Sequence, residues 1–87
     1  MASCRIDFKR SADKDLRRIA KDQIPRILEA IQSLAENPFL DGSKKLVGGE
    51  CTYRIRVGDY RVIYQFHRQR NVIEIDRIRH RKDVHRD

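Results

Sequence analysis

The chain has 87 residues, with 20 Lys and Arg against 13 Asp and Glu and a formal net charge of +7. This length suits one small domain over residues 1–87, with room for a single sheet and a helical cover. The basic surplus indicates a polyanionic partner, with nucleic acid as the first expectation, an acidic protein second and a membrane surface third. Neither a secretory signal nor a run of ~18 apolar residues is present, so a cytoplasmic location without membrane contact is predicted.

The first half of the chain predicts one short strand followed by two helices. Residues 4–9 alternate apolar and charged side chains, as a half-buried strand does. Ser11 stands at the N-cap position of an amphipathic helix, with acidic residues after it. A second periodic run has Pro25 in its first turn and ends at Asn37, because the proline that follows disfavours helical backbone there. Residues 39–50 contain three glycines and no clean period, and a loop is predicted.

The second half predicts three strands. Residues 53–66 read YRIRVGDYRVIYQF, two alternating runs joined at Gly58-Asp59, which is typical of a two-residue hairpin turn of type I′ or II′. A further apolar run, VIEIDRIR, follows a polar turn. The order β-α-α-β-β-β predicts an α+β fold, an antiparallel β-sheet with an N-terminal helical hairpin packed on one face.

A two-residue turn also fixes the register of the hairpin. One face then carries three apolar pairs: Val57 with Tyr60, Ile55 with Val62, and Tyr53 with Tyr64. The opposite face sets Arg56 across from Arg61, with Arg54 beside them, although like charges directly opposite destabilise a sheet. Two interpretations follow. Either the face is solvated, its arginines paired with Glu74 or Asp76 of the next strand, or the missing counter-charge is a phosphate backbone.

The third strand continues the same chemistry. Strict alternation would put Arg77 on the core side and Ile78 outside. A bulge near Asp76-Arg77 would correct the phase, turning Ile78 inward and Arg77 and Arg79 toward the arginine face. Arg81 follows directly and adds a further cation.

No metal or cofactor is predicted, because the three histidines lack the spacing and carboxylate partners of a zinc site and Gly48-Gly49 precedes a strand instead of a helix. RNA cleavage fits the residues, because a 2′-hydroxyl can attack its own phosphate if one group accepts a proton and cations stabilise the developing charge. Arginine suits the second task only. His85 is the best candidate for the first, since imidazole ordinarily titrates between about pH 5 and 8. The alternative is that this isolated histidine has no chemical role.

The order YRIRVGDYRVIY, an apolar strand and then RIRHRKDVH, together with the F-x-x-S-A-x-K-D-L start of the first helix, resembles the RelE/ParE superfamily of toxins, and within it the RelE branch. The resemblance implies the toxin of a type II toxin–antitoxin pair. It implies an endoribonuclease that cleaves mRNA in the ribosomal A site without metal and so inhibits translation. The implied partners are an acidic, RelB-like cognate antitoxin, the ribosome and mRNA, and operator DNA only for the toxin–antitoxin complex.

The resemblance also implies a set of catalytic residues. Arg54 and Arg56 match the basic pair on the first strand of the hairpin. Arg61 matches the arginine after the turn tyrosine, a phosphate ligand in the family. Arg79 or Arg81 matches the arginine after the last strand, and the sequence does not separate the two.

His85 stands where many members of the superfamily have a tyrosine used for stacking or proton transfer, and where others have a histidine. The competing expectation is a protein without nuclease activity, either a ParE-like toxin that binds DNA gyrase or an inactive module that binds antitoxin and operator DNA. The arginine and histidine set favours the nuclease, because a gyrase-binding protein has no need of it.

Overall fold

The computed structural model describes residues 3–39, 44–45 and 51–83. The helices and strands follow the predicted order, with one additional short strand inside the segment predicted as a loop. The elements are β1 Arg5–Phe8, α1 Arg10–Arg18, α2 Ile24–Glu36, β2 Lys44–Lys45, β3 Thr52–Val57, β4 Tyr60–His67, β5 Val72–His80 and a 3₁₀ turn, Arg81–Asp83.

The five strands form one sheet in the order β1-β5-β4-β3-β2. β2 pairs with β3, β3 with β4 and β4 with β5, and all three pairs are antiparallel. β1 and β5 run parallel, from Arg5 beside Val72 to Phe8 beside Ile75. The predicted α+β fold is confirmed. The sheet was predicted to be antiparallel, but it is mixed because β1 runs parallel to β5. The parallel pair arises because the helices carry the chain across to the far side of the sheet, from which β3, β4 and β5 return to β1.

The hairpin has the predicted register at all six pairs, from Thr52 opposite Gln65 to Val57 opposite Tyr60. Gly58 has φ 60°, the left-handed region that a primed turn requires at its first central position. Asp59 is not among the residues with positive φ, which fits type II′ and excludes type I′.

The predicted bulge in β5 is confirmed. Ile63 pairs with Arg77 and Tyr64 pairs with Ile75, so Asp76 is an extra residue on β5. The change of phase turns Ile78 into the core, where it is 3% exposed. The next residue, Arg79, therefore points to the opposite face.

Both helices cover the same face of the sheet and enclose the core with it. The helical periodicity places apolar side chains on one stripe of each helix, and alternation places them on one face of the strands. The buried core consists of Ala12, Ile19, Ile27, Ile31, Leu34, Ile55, Val57, Val62, Tyr64, Ile73, Ile75 and Ile78. No helix in the described ranges is long and apolar enough to cross a membrane.

The ends of the helices agree with the sequence in one case and differ in another. Helix α2 ends at Glu36 with Asn37 as its C-cap, and Pro25 lies in its first turn, as predicted. The predicted N-cap role of Ser11 is wrong, because α1 begins at Arg10 and its N-cap is Lys9. The Ser11 hydroxyl instead donates a hydrogen bond of 2.7 Å to the carbonyl oxygen of Asp76 in the bulge.

Candidate nucleic-acid interface

Three arginines form a row across the middle of the sheet, on the face away from the helices. Arg56 of β3 pairs with Arg61 of β4, and Arg61 pairs with Arg79 of β5. Neighbouring strands lie about 4.7–4.9 Å apart, so the three positively charged side chains are attached at directly neighbouring positions of the sheet. We call Arg56, Arg61 and Arg79 the arginine row. The bulge is essential to it, because without the extra residue Arg79 would point toward the core.

Arg54 lies one step further from the turn on the same face. It pairs with Ile63, which in turn pairs with Arg77. The guanidinium of Arg77 binds the carboxylate of Asp15 in α1, with Nε 2.9 Å from Oδ2. Arg77 was predicted to add its charge to the arginine face. In the structure its guanidinium instead forms an ion pair with Asp15 of the helix.

A pocket of about 290 Å³ lies at the hairpin turn, next to one end of the arginine row. Arg81 reaches this pocket because the backbone N–H of Arg81 donates a 2.8 Å bond to the carbonyl of Asp59. The Arg81 guanidinium also lies 3.8 Å from the Asp59 carboxylate, and both side chains are exposed. The pocket is lined by Arg56, Gly58, Asp59, Tyr60, Arg61 and Arg81.

The arginines crowd one another electrostatically. Burial lowers the pKa of Arg61, and the charges of Arg54 and Arg56 lower it further. Both causes disfavour the charged form of Arg61 in the folded protein, which nevertheless stays protonated at neutral pH. An anion beside Arg61 would reverse the unfavourable charge interactions, so the site is suited to a phosphate.

The two carboxylates that could have neutralised this face have other partners. Oε1 of Glu74 lies 3.4 Å from Nε2 of His67. Oδ2 of Asp76 accepts a 2.8 Å hydrogen bond from Gln65. Oδ1 of Asp76 lies 3.4 Å from the ammonium of Lys9, an electrostatic contact without hydrogen-bond geometry. Within the described part of the chain, neither Arg54 nor Arg56 forms an ion pair.

The structure brings four of the six predicted catalytic residues close together. Arg56, Arg61 and Arg81 line the turn pocket, and Arg79 neighbours Arg61 in the row. Arg79 also lines a second pocket, of about 500 Å³, between α1 and the end of β5. Arg54 stands one row away. The sixth residue, His85, lies outside the described residues.

No group of three His, Cys, Asp or Glu side chains in residues 3–39, 44–45 and 51–83 could hold a metal ion.

Three features of this surface were not predicted from the sequence. Tyr60 lines both pockets, and its ring meets that of His80 edge-on at 5.1 Å. The guanidinium of Arg26 in α2 approaches the turn, since a Cβ atom on Gly58 would lie 3.3 Å from it. Lys44 of the short strand β2 pairs with Arg54. Alternation placed Tyr60 opposite Val57 on the apolar face of the hairpin but did not predict its contact with the two pockets. The other two contacts join distant parts of the sequence.

The fold and this surface define a class of protein, a small basic α+β domain with helices on one face of the sheet and clustered arginines on the other. A family model described as the ParE toxin of the type II toxin–antitoxin system, parDE, matches residues 6–85. The chain belongs to this family, and it is a toxin of the RelE/ParE superfamily of type II toxin–antitoxin systems.

Solved structures place it near RelE toxins. It is similar to the archaeal RelE–RelB complex from Pyrococcus horikoshii OT3, with 31% identity over 91% of this chain and 96% of that chain and a TM-score of 0.80. For the RelB–RelE antitoxin–toxin complex from Methanococcus jannaschii the identity is 28%, the coverage 90% and 93%, and the TM-score 0.74. The isolated E. coli RelE toxin shares the fold, with a TM-score of 0.79 at 21% identity over 90% of this chain and 84% of that chain. A search of curated proteins found no match.

Proposed function

We propose that this toxin is a ribosome-dependent, metal-independent endoribonuclease that cleaves mRNA in the ribosomal A site and so inhibits translation. The observation that supports the proposal most directly is the arginine row with the adjoining pocket. Arg56 and Arg61 stand in directly opposed register, and Arg81 reaches the same pocket from the end of β5. A phosphate bound at this surface would contact several guanidinium groups at once, and such charge-assisted contacts stabilise it.

In the proposed reaction a 2′-oxygen attacks the adjacent phosphorus. The bond from phosphorus to the 5′-oxygen of the next nucleotide breaks, leaving a 2′,3′-cyclic phosphate and a 5′-hydroxyl. A base takes the 2′-hydroxyl proton, and the departing 5′-oxygen gains a proton from the protonated base or from water. Arg56 and Arg61 stabilise the extra negative charge on the non-bridging oxygens, and guanidinium donors suit this role because they bind phosphate oxygens in pairs.

Proton transfer needs a group other than arginine, which stays protonated throughout. We assign proton transfer to His85. The alternative role for this residue is to stack on a nucleobase of the mRNA. One titrating side chain does not orient the 2′-hydroxyl for attack. The ribosome supplies that orientation in this proposal, because correct placement of the reacting atoms lowers the barrier by several kcal/mol.

The cognate antitoxin completes the proposal. An acidic, partly disordered RelB-like chain suits a toxin with a net charge of +7, because opposite charge speeds association and folding on binding lets a short segment cover a large surface. It would lie over the arginine face or along the edge of the sheet. Operator DNA is bound only by the toxin–antitoxin complex, and action on ribosomes places the toxin in the cytoplasm. A complex that leaves Arg56 and Arg61 accessible and still cleaves mRNA would contradict this part.

The second candidate function is inhibition of DNA gyrase. The observation that favours it is the family model, whose description is that of a ParE toxin. Induction in cells separates the two, because a nuclease produces cuts in translated mRNA and a gyrase poison produces double-strand DNA breaks.

The test of the proposed function compares purified toxin on ribosome-bound and free mRNA, in single-turnover reactions. We expect rapid cleavage only with programmed ribosomes, products ending in a 2′,3′-cyclic phosphate, and no loss of the toxin's own activity when it is treated with a chelator before the assay. Arg68→Ala is the matched control for variants of the row, because Arg68 is exposed in the turn at the far end of β4. Equal rates on free mRNA would refute ribosome dependence.

A further inference from the structure

Helix α1 lies beside a stretch of β5 that β1 does not reach. β1 ends at Phe8, which pairs with Ile75. The backbone N–H of Lys9 then donates a 2.9 Å hydrogen bond to the carbonyl of Ile75. The bulge residue Asp76 follows immediately, and from there the edge of β5 faces α1. An unpaired strand edge leaves backbone donors and acceptors that need partners.

Two side chains of α1 supply those partners. The hydroxyl of Ser11 donates a 2.7 Å hydrogen bond to the carbonyl of Asp76. Oδ2 of Asp15 accepts a 2.9 Å hydrogen bond from the backbone N–H of Ile78. Ser11 and Asp15 are four residues apart, so they lie one above the other on one face of the helix. They bind alternate residues of β5, as a neighbouring strand would.

The carboxylate of Asp15 is itself fixed in place. Nε and Nη2 of Arg77 donate to its two oxygens at 2.9 Å and 3.2 Å. The Asp15 side chain is only 11% exposed. Hydrogen bonding to Asp15 raises the pKa of Arg77, so this contact stabilises the charged guanidinium. Asp15 thus accepts three hydrogen bonds from β5, two from Arg77 and one from the backbone of Ile78.

We propose that Ser11 and Asp15 are positioning residues that hold the bulge at Asp76 and thereby keep Arg79 in the arginine row. Side chains alternate between the two faces of a strand, so loss of the bulge would turn Arg79 toward the core. Both residues belong to the S-A-x-K-D segment of the first helix, which the phosphate chemistry leaves unexplained. The proposal rests on the proposed function, because it concerns the placement of a cation for RNA cleavage.

A double-mutant cycle tests the proposal with Asp15→Ala, Arg79→Ala and the double variant, in single-turnover mRNA cleavage at saturating ribosomes. We expect Asp15→Ala to slow cleavage roughly 10- to 100-fold, because small misplacements of a catalytic group have effects of this size. In the Arg79→Ala background the same change should slow it by less than about twofold. Equal factors in both backgrounds would overturn the proposal, because Asp15 would then act independently of Arg79.

Two further variants separate the backbone contact from the charge. Asp15→Asn keeps an oxygen that can accept from Ile78 N–H, and it should cleave within about threefold of the unmutated toxin. If Asp15→Asn cleaves as slowly as Asp15→Ala, loss of the hydrogen bond from the Ile78 N–H does not explain the slow cleavage, and the proposal is overturned. Asp13→Ala removes an exposed carboxylate from the same helix and should leave cleavage unchanged.

Amide hydrogen exchange at Ile78 provides a readout independent of activity. Exchange there should accelerate at least about tenfold in Asp15→Ala, and in Ser11→Ala if the first variant does not fold, while the amide of Val62 in β4 stays protected. Unchanged exchange at Ile78 would also overturn the proposal. If the unmutated toxin cuts no mRNA, the proposed function fails by itself. The cycle is then read from the affinity for a single-stranded RNA oligonucleotide, with the same expected coupling.

Discussion

Replacing Arg61 by alanine should separate the stability of the fold from its chemistry. Arg61 is the middle residue of the arginine row, directly opposite Arg56 and Arg79. Side chains in directly opposed positions have Cβ atoms about 4.5–5.5 Å apart. Two unit charges ~5 Å apart repel by about 0.8 kcal/mol in water, and longer side chains can splay to reduce this. Burial and the two hairpin arginines lower the pKa of Arg61, so its charged form is disfavoured by folding.

Since arginine stays protonated below its folded-state pKa, this disfavoured charge acts at every pH used for the assay. We therefore expect Arg61→Ala to leave the free energy of unfolding unchanged or to raise it by up to ~1 kcal/mol. For a domain of this size, 1 kcal/mol corresponds to a change in Tm of about 4–8 °C. Thermal unfolding followed by circular dichroism measures this directly.

Cleavage should respond in the opposite direction. Removing one charge-assisted contact that forms mainly in the transition state costs about 2.7–4 kcal/mol, which corresponds to a loss of roughly 100- to 1,000-fold in single-turnover rate. Arg68→Ala, which removes the same charge from an exposed turn, should have neither effect. If Arg61→Ala unfolds the domain, or cleaves at the unmutated rate, the arginine row is a structural or solvated surface and the nuclease proposal loses its main physical support.

Four further variants give three distinct expectations. Val62→Ala changes a fully buried side chain, so it should lower the free energy of unfolding by about 1–3 kcal/mol in a denaturant titration while the cleavage rate per folded molecule stays the same. Arg56→Ala should slow cleavage more than Arg54→Ala, because only Arg56 lines the turn pocket; equal losses in parallel single-turnover assays would contradict that ranking. His85→Ala should lower the single-turnover rate with little change in ribosome affinity, because a proton carrier contributes to the barrier more than to binding; a loss confined to affinity would assign His85 to binding instead.

The sequence predicted the hairpin well because its constraints are local. A two-residue turn fixes the register, and alternation then fixes which side chains share a face, so Arg56 and Arg61 could be paired from the sequence. The bulge was predictable for a related reason, since uninterrupted alternation would have buried Arg77 and exposed Ile78. Such conflicts within one strand need no knowledge of distant residues.

Contacts between distant segments were not predictable in the same way. Alternation in β1 indicates a strand but says nothing of its neighbour or direction, and the parallel pairing with β5 depends on where the helices carry the chain. Strand β2 has two residues, too few for a periodic pattern. Asp15 and Arg77 are 62 positions apart, and no local rule joins them. The predicted N-cap role of Ser11 was wrong for the same reason. Its hydroxyl donates a hydrogen bond to the carbonyl oxygen of Asp76, a residue distant in the sequence, at the edge of β5.

Mapping the 5′ ends of cellular mRNA after brief induction of the toxin distinguishes a ribosome-dependent nuclease from a gyrase-directed toxin. For the nuclease we expect new ends that lie within translated reading frames, show a three-nucleotide periodicity, carry 5′-hydroxyl groups and are absent with Arg61→Ala. Intact mRNA together with double-strand DNA breaks would contradict the nuclease proposal and would support a gyrase-directed toxin.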